Sequence, residues 1–364
     1  MIFRRKKLRV AIVAPVFGDT GGPEVVVQNL TNALLKKGVD VTLFAPTDWK
    51  TEARHISTLE KSLWRMQNFK DLTQIMIRNY IAAAHVKVLN HQNEFDVIHL
   101  HLQRHAYAIA ANVKKPCLLS FHSGFTKLEL DMIKSTGIAT VALSKTQRGK
   151  NKTTAVIHNG VPVDKIKPSY DKGKYLVAIG RLNNQKGIDK AIQIARQSNK
   201  KLLIFGRIGI SEKRQSYFGK KIAPFLDGEK IILMKEVPNK KIFGYIRKAE
   251  ALLFPIRKPE VCPMAVAEAL ACGTPVIGTN VGPLPEMLKS KKVGFLSNNI
   301  NSLIKAAKNT EQFDRKACRK YAEKHFDSSI MAGKYIQLYK KIVREYNRKQ
   351  YSANFVLKPD ENFC

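Results

Sequence analysis

Strand-like apolar runs alternate with amphipathic stretches along nearly the whole chain, and this alternation restricts the fold more than any other feature. Leu8 to Ala14, Val39 to Ala45, Val97 to Leu102, Cys117 to Phe121, Thr140 to Leu143 and Thr154 to Ile157 read as strands in the first half. A second series begins after Lys174, with Tyr175 to Ile179, Leu202 to Phe205, Ile231 to Met234, Leu252 to Pro255, Val276 to Gly278 and Gly294 to Leu296. Strands joined by helical connections pair in parallel. A chain of 364 residues is long enough for two cores, where one sheet would be oversized. The expectation is an α/β protein of two doubly wound, Rossmann-like domains, 1–165 and 170–325. Val161 to Lys174, with Pro162, Pro168 and Gly173, is the expected linker. Ligands of such sheets bind at the carboxyl ends of the strands, so two such edges facing each other would make a cleft.

A long helical region is expected over Leu59 to His91, with Trp64, Met66, Leu72, Ile75, Met76 and Tyr80 as a core-facing stripe. After Gly294 the pattern turns helical: Leu303 to Thr310, Arg315 to His325 and Ser329 to Tyr346 are candidates. Met331, Tyr335, Leu338, Tyr339, Ile342 and Val343 share one face of the last. A helix over 328–350 and a loosely ordered tail over 351–364 are expected, since periodicity ends near Lys349.

Arg4 to Lys7 ahead of Leu8 to Phe17 looks superficially like a signal peptide, but Asp19, Gly21 and Gly22 stand where small residues for cleavage are needed. No apolar run approaches the roughly 18 to 20 residues that cross a bilayer. Cys117, Cys262, Cys272, Cys318 and Cys364 are scattered, which argues against a disulfide framework or zinc site and fits a cytoplasmic protein. Lys and Arg number 63 against 29 Asp and Glu, a formal charge of +34. Such an excess attracts polyanions, including an anionic inner-membrane face, and equally describes a Lys-rich solvated surface. The clusters at Arg4 to Lys7, Lys200 to Lys201 and Lys340 to Lys349 lack the aromatic interleaving that stacks bases, so nucleic acid is not the expected partner.

Chemistry concentrates in a few segments. Glu260 and Glu268 flank the start of an expected helix, Pro263 to Cys272, that follows a buried strand. Carboxylates accept hydrogen bonds from hydroxyls, and helix N-termini attract phosphate, so the pair suits a ligand with sugar hydroxyls flanking a pyrophosphate. Either Glu alone fits a solvated surface, but the run Ala269-Leu270-Ala271-Cys272-Gly273-Thr274-Pro275-Val276 leaves little solvated face. Gly180-Arg181-Leu182-Asn183-Asn184-Gln185-Lys186-Gly187 follows the first strand of the second half, where Arg181 and Lys186 can bracket a diphosphate without a metal. Gly21-Gly22-Pro23-Glu24 opens a helix after the first strand, allowing close backbone approach to a ligand. His122 ends another strand and fits either a structural or a ligand-contacting role; His99 and His101 share one strand face, where structural placement is preferred to a metal pair.

These segments together resemble the retaining glycosyltransferases of family 4, of GT-B fold. The resemblance rests on the Glu-x7-Glu element (Glu260, Glu268), Gly-Arg-x4-Lys-Gly (Gly180 to Gly187), Gly-Gly-x-Glu (Gly21 to Glu24), Asp96 to His101, His122, Asn159-Gly160-Val161 and Val281 to Glu286, covering about Leu8 to Tyr346. It implies a nucleoside diphosphate sugar donor, no metal cofactor, and a glycan or lipid-linked acceptor. It implies that Arg181 and Lys186 hold the pyrophosphate, that Glu260 contacts the sugar and Glu268 the ribose, and that Gly21, Gly22 and Gly180 line the phosphate path. His122 would lie near the anomeric centre, and the terminal helix would brace the first domain. The chain departs from the family at Val261-Cys262-Pro263-Met264, where a Gly-Phe-Gly turn is common, so Pro263 supplies no N–H to the sugar. Three other readings stay open: a nucleotide-sugar epimerase, a catalytically silent binding protein, and a nucleic-acid or membrane-surface protein that binds through charge.

Overall fold

The computed structural model describes residues 7–18, 21–67, 69–209, 211–234 and 237–356. The basic residues 4–6, the loop positions Asp19 and Thr20, and the tail 357–364 with Cys364 lie outside these. The chain divides into two units, the first holding 1–143, 148–158 and 328–364, the second 144–147 and 159–327.

The first unit is built on a seven-stranded parallel sheet of β1 (Arg9–Val13), β2 (Asp40–Ala45), β3 (Arg54–Ser57), β4 (Val97–Leu100), β5 (Cys117–Phe121), β6 (Ala139–Ala142) and β7 (Ala155–Val156), ordered β3-β2-β1-β4-β5-β6-β7. β3 is an edge strand that the sequence does not announce, because Arg54, His55 and Ser57 break any apolar run. Strand order reverses between β1 and β4, which opens a crevice beyond their carboxyl ends.

Within this unit the expected helix over Leu59 to His91 is only half formed. Two short 3-10 turns, Leu63–Arg65 and Phe69–Asp71, precede a helix confined to Gln74–Asn90. The expected stripe is buried only in part: Leu72 lies in the core with Met66 and Tyr80 packed against it, while Trp64 is 50%, Ile75 69% and Met76 42% exposed. The face toward the core carries Ile77, Ile81, Ala84 and Val88, spaced by helical turns. Thr73 sets this register by capping the helix, its hydroxyl accepting from Met76 N–H at 3.2 Å. The apolar residues before it pack as turns instead: Leu63 N–H donates to Val16 C=O, and Leu63 joins Leu59, Leu72 and Val16 in a small core.

The terminal helix, Ser328–Val356, belongs to the first unit and runs past Lys349, where the sequence periodicity stops. Periodicity marks the packed stretch; a helix already nucleated extends at little cost. Its Tyr335 and Tyr339 are buried, and their hydroxyls bond Ser120 Oγ at 2.8 Å and His99 Nδ1 at 2.7 Å.

The second unit carries a six-stranded parallel sheet: β8 (Leu176–Ile179), β9 (Leu202–Phe205), β10 (Ile231–Met234), β11 (Ala251–Phe254), β12 (Val276–Gly278) and β13 (Gly294–Leu296), ordered β10-β9-β8-β11-β12-β13. Its order reverses between β8 and β11, as the first sheet's does between β1 and β4. Leu176, Ala178, Ile204, Leu253 and Ile277 of the strands pack with Ile188, Ile192 and Leu303 of the helices. The stretch Val161 to Lys174, expected as a linker, is part of this unit. Val161, Val163 and Ile166 are buried, Ser169 N–H donates to Cys272 C=O, and Arg315 reaches Ser169 C=O at 3.0 Å. Proline and glycine there shape a packed turn, and the chain crosses between units at His158 and Asn159.

Candidate active site

In the second unit the expected site residues collect at the strand-order reversal. Gly180 leaves β8 at φ +152°, a backbone conformation open to glycine, and a Cβ there would press on the Lys186 side chain at 3.2 Å. Asn183 accepts from Lys186 N–H at 3.1 Å and closes the 3-10 turn Asn184–Lys186. Gly187, at φ +66°, caps the helix Ile188–Gln197; a side chain there would strike the Pro255 carbonyl at the end of β11. The two loops therefore touch through bare backbone. Lys186 Nζ forms an ion pair with Glu260 Oε1 and stands 5.6 Å from the Phe254 ring centroid. Arg181 extends into solvent.

The helix of the second carboxylate spans Met264–Ala271, starting one residue after Pro263. Glu268 is half-buried in its second turn, and burial pushes its carboxyl up to about 7. The turn into this helix is pinned by Asn159, whose Nδ2 donates to Cys262 C=O at 3.0 Å and whose N–H points to Cys262 Sγ at 3.3 Å. Gly282, at φ +63°, backs the other side: a Cβ there would meet Pro259 Cα at 2.9 Å and Glu260 N at 3.2 Å. The Asn-Gly-Val and Val281 to Glu286 segments thus shape the Glu260 loop.

One set of residues has no counterpart in the sequence reading. Arg257 donates its backbone N–H to Gln185 C=O at 2.9 Å and Nη1 to Asn184 C=O at 3.0 Å. Its two guanidinium nitrogens grip Asp189 at 2.7 and 2.6 Å, and Tyr217 Oη donates to the same carboxylate at 2.7 Å. Burial opposes the Asp189 charge, but the Arg257 and Tyr217 hydrogen bonds outweigh it and hold the carboxyl below its usual range. The fork ties the Lys186 loop to the Glu260 loop. In a chain with 63 cations a single Arg does not stand out; its place midway between β11 and Glu260 is the signal that would have found it.

In the first unit, Gly21 precedes the helix Gly22–Lys36, and a side chain on it would collide with the Glu24 carboxylate. Gly22 faces open space, and Glu24 is buried. A cavity of about 220 Å³ lies at this reversal, its walls including Phe17, Glu24, Ile81, His101, His122 and Ser123. His122 Nε2 and His101 Nδ1 are 2.7 Å apart. The His99 and His101 ring centroids lie 4.0 Å apart with their planes tilted by 39°, while His99 spends both nitrogens on Tyr339 and Ser120. Burial drives His122 down to about 4 and holds His99 and His101 well below the normal range. The unit thus offers neutral imidazoles. Among the described residues no set of three His, Cys, Asp or Glu side chains is grouped to hold a metal, and no helix is long and apolar enough to cross a membrane.

Comparison with known proteins agrees with this architecture. The model of glycosyltransferase family 4 matches residues 20–165, and that of glycosyl transferases group 1 matches 163–325. The chain is 27% identical over 368 residues to an uncharacterized 41.2 kDa protein in the cps region of Klebsiella pneumoniae, covering 88% of this chain and 96% of that one. It is similar in fold to sucrose-phosphate synthase from Thermosynechococcus elongatus, with TM-score 0.73, 16% identity and coverage of 93% and 100%. It is also similar to Anabaena Alr3699/HepE, solved with UDP and glucose, with TM-score 0.71, 15% identity and coverage of 92% and 100%. The two family matches meet end to end and leave only the termini outside, so the chain belongs to the family 4 glycosyltransferases of GT-B fold and is a glycosyltransferase enzyme.

Proposed function

We propose that this glycosyltransferase works with retention, moving a sugar from a nucleoside diphosphate sugar to an acceptor hydroxyl. The Lys186–Glu260 ion pair at the reversal of the second sheet carries the reading. A cation beside a carboxylate at that point supports a diphosphate leaving at Lys186 and sugar hydroxyls read by Glu260. Arg181 and Lys186 stabilise the departing diphosphate as its charge develops, and Gly180 lets the phosphates approach the backbone. The leaving oxygen then helps take the proton from the acceptor hydroxyl on the same face of the sugar. Glu260 orients the sugar, and Glu268 accepts hydrogen bonds from the ribose hydroxyls. Gly21 and Gly22 keep side chains off the phosphate path, and His122 meets a substrate hydroxyl as a neutral imidazole.

Arg181 and Lys186 would supply the charge for the leaving group, which supports a reaction without a metal. HepE has been solved with UDP-glucose and starch synthase IV from Arabidopsis thaliana with ADP, which makes uridine and adenosine diphosphate sugars the first donors to test. A thermal-shift screen that adds guanosine diphosphate sugars checks this: one base should raise Tm in a manner lost in Glu268→Ala. No shift with any of the three would overturn the donor assignment, and activity abolished by EDTA would overturn the metal-free one.

The acceptor is a glycan or a lipid-linked sugar handled at the cytoplasmic membrane face. The +34 charge supports this through attraction to anionic lipid. Binding to vesicles containing phosphatidylglycerol at low salt, lost at high salt, is the expected result; no binding at low salt would refute it.

A further inference from the structure

We propose that His101 is the residue through which the first unit's cavity reads a hydroxyl of its ligand, and that His101 and His122 act as one hydrogen-bonded unit in doing so. The inference deepens the glycosyltransferase reading and rests on it for the identity of the ligand as a substrate.

The geometry is specific. His101 is 2% exposed and forms part of the cavity wall. Its Nδ1 is engaged with His122 Nε2, and its Nε2 is buried with no hydrogen-bond partner among the described residues. A buried ring nitrogen without a partner is costly, and a ligand that supplies one recovers that cost. The neighbouring ring offers no such opening, because both nitrogens of His99 are occupied within the protein. Two side chains on one strand face thus have different duties: His99 holds the terminal helix, and His101 is left with a nitrogen to give.

The N-to-N contact couples the two rings. One nitrogen must carry the proton and the other must be bare, so fixing one ring's tautomer fixes the other's. If His101 donates from Nδ1, its Nε2 is an acceptor and His122 keeps its proton on Nδ1. If His122 donates, His101 Nε2 becomes a donor and His122 Nδ1 an acceptor. A hydroxyl can answer either state, since it both donates and accepts.

The walls narrow the ligand further. Pro15, Val16, Phe17, Ile81 and Leu102 give an apolar side, while among the described residues Glu24 lines the cavity and no Lys or Arg does. That combination disfavours phosphate and suits a neutral ring with one apolar face and hydroxyls at its edge. A volume of about 220 Å³ is below the roughly 300 to 1,000 Å³ typical of drug-sized ligands, so one monosaccharide ring is the fitting size.

The test uses the full chain labelled with 15N-histidine and two probes, neutral methyl hexosides and the corresponding hexose 6-phosphates. Long-range imidazole spectra should show His101 and His122 in the same neutral tautomer at neutral pH, both protonated on Nδ1 or both on Nε2. At least one methyl hexoside should shift both rings saturably, while its 6-phosphate should not. In His101→Leu the affinity should fall by about tenfold or more, the loss of one hydrogen bond to a buried group. His101→Gln carries its amide near the Nε2 position and should restore much of the affinity without restoring the His122 tautomer; His101→Asn, near Nδ1, should do the reverse. A merely structural His101 would not split the two readouts. No saturable shift with any neutral hexoside, unchanged affinity in His101→Leu with fold retained, or Gln and Asn behaving alike would each overturn the proposal. Failure of nucleoside diphosphates to bind the second unit, with the histidine response intact, would instead sink the donor reading and leave this one standing.

Discussion

The two units share one strand order and place their candidate residues at the same topological point, yet they build opposite environments there. At the second unit's reversal, Arg181, Lys186 and Glu260 bring charge to loops joined by backbone contact, with Glu268 on the helix that follows. At the first unit's reversal, burial strips charge from three imidazoles and leaves them as hydrogen-bonding groups. The topology therefore chooses where a ligand sits, and the residues after each strand choose what it is. On the proposed reading, a diphosphate belongs to one crevice and a neutral hydroxylated ring to the other.

The largest effect that would break this contrast is expected at Lys186. Lys186→Ala should lower kcat by about 10²- to 10³-fold, the range for losing one donor that stabilises developing charge. Its Tm should change little, because the side chain's partner Glu260 retains some access to water. Near-normal turnover would mean that the charged crevice is not where the leaving group departs.

Next in size is a pH dependence that runs in opposite directions in the two units. Glu268 is raised from 4.5 to about 7, so the unfolded chain releases this proton first, and its contribution to stability is present below pH 4.5 and lost as pH rises to 7. His122 and His85 are lowered from 6.5 to about 4, so their contribution is present above pH 6.5 and lost as pH falls toward 4. Each single group accounts for at most about 3 kcal/mol. Urea titrations across pH 4 to 8, with Glu268→Gln flattening one slope and His85→Leu the other, would show it. Slopes of the same sign in both units would contradict the contrast.

How far the sequence carried this picture differs between the crevices for a physical reason. β5, β9 and β12 appear where their apolar runs begin and end, because a strand buried on both faces writes itself as an uninterrupted run, and the edge strands β10 and β13 appear too because their own residues stay apolar. β3 is invisible because an edge strand needs no such run, and the half-formed helix before Gln74 misleads because Trp64, Ile75 and Met76 imitate a buried stripe while facing solvent. The charged crevice is legible because Gly180, Lys186, Gly187 and Glu260 lie in two short segments whose glycines make close approach possible. The neutral crevice is assembled from β4, β5 and a helix far away in sequence, so the His101–His122 pair and the Tyr339 contact of His99 emerge only in three dimensions.

A smaller effect sharpens the charged side. Arg257→Gln removes the fork that joins Asn184 and Asp189 while leaving Lys186 and Glu260 in place. A half-exposed bidentate pair lies between surface and buried cases, so about 2 kcal/mol of stability should be lost. Both KM and kcat should worsen, since the two loops would no longer be held at one spacing. An Asp189→Asn change combined with Arg257→Gln should cost little more than either alone; additive losses would mean that the two residues act separately.

The smallest effect bears on the neutral side. Tyr339→Phe deletes one hydroxyl that reaches His99 Nδ1, and Tyr335→Phe one that reaches Ser120 Oγ, both from a helix more than two hundred residues away in sequence. Each should cost about 1 kcal/mol or slightly more, because a buried partner is left short of a hydrogen bond. Tyr175→Phe in the second unit removes a hydroxyl bonded to the Tyr245 carbonyl at 3.1 Å in a half-exposed setting, and should cost less. The position of the change matters as much as its size. His99 packs against His101 with ring centroids 4.0 Å apart, so loss of the Tyr339 bond frees the His99 ring to turn and should disturb the His101 and His122 resonances in the 15N-histidine spectrum. Tyr175→Phe should leave them still. If Tyr339→Phe lowers stability without moving either resonance, the terminal helix serves only as packing, and the neutral crevice owes its geometry to β4 and β5 alone.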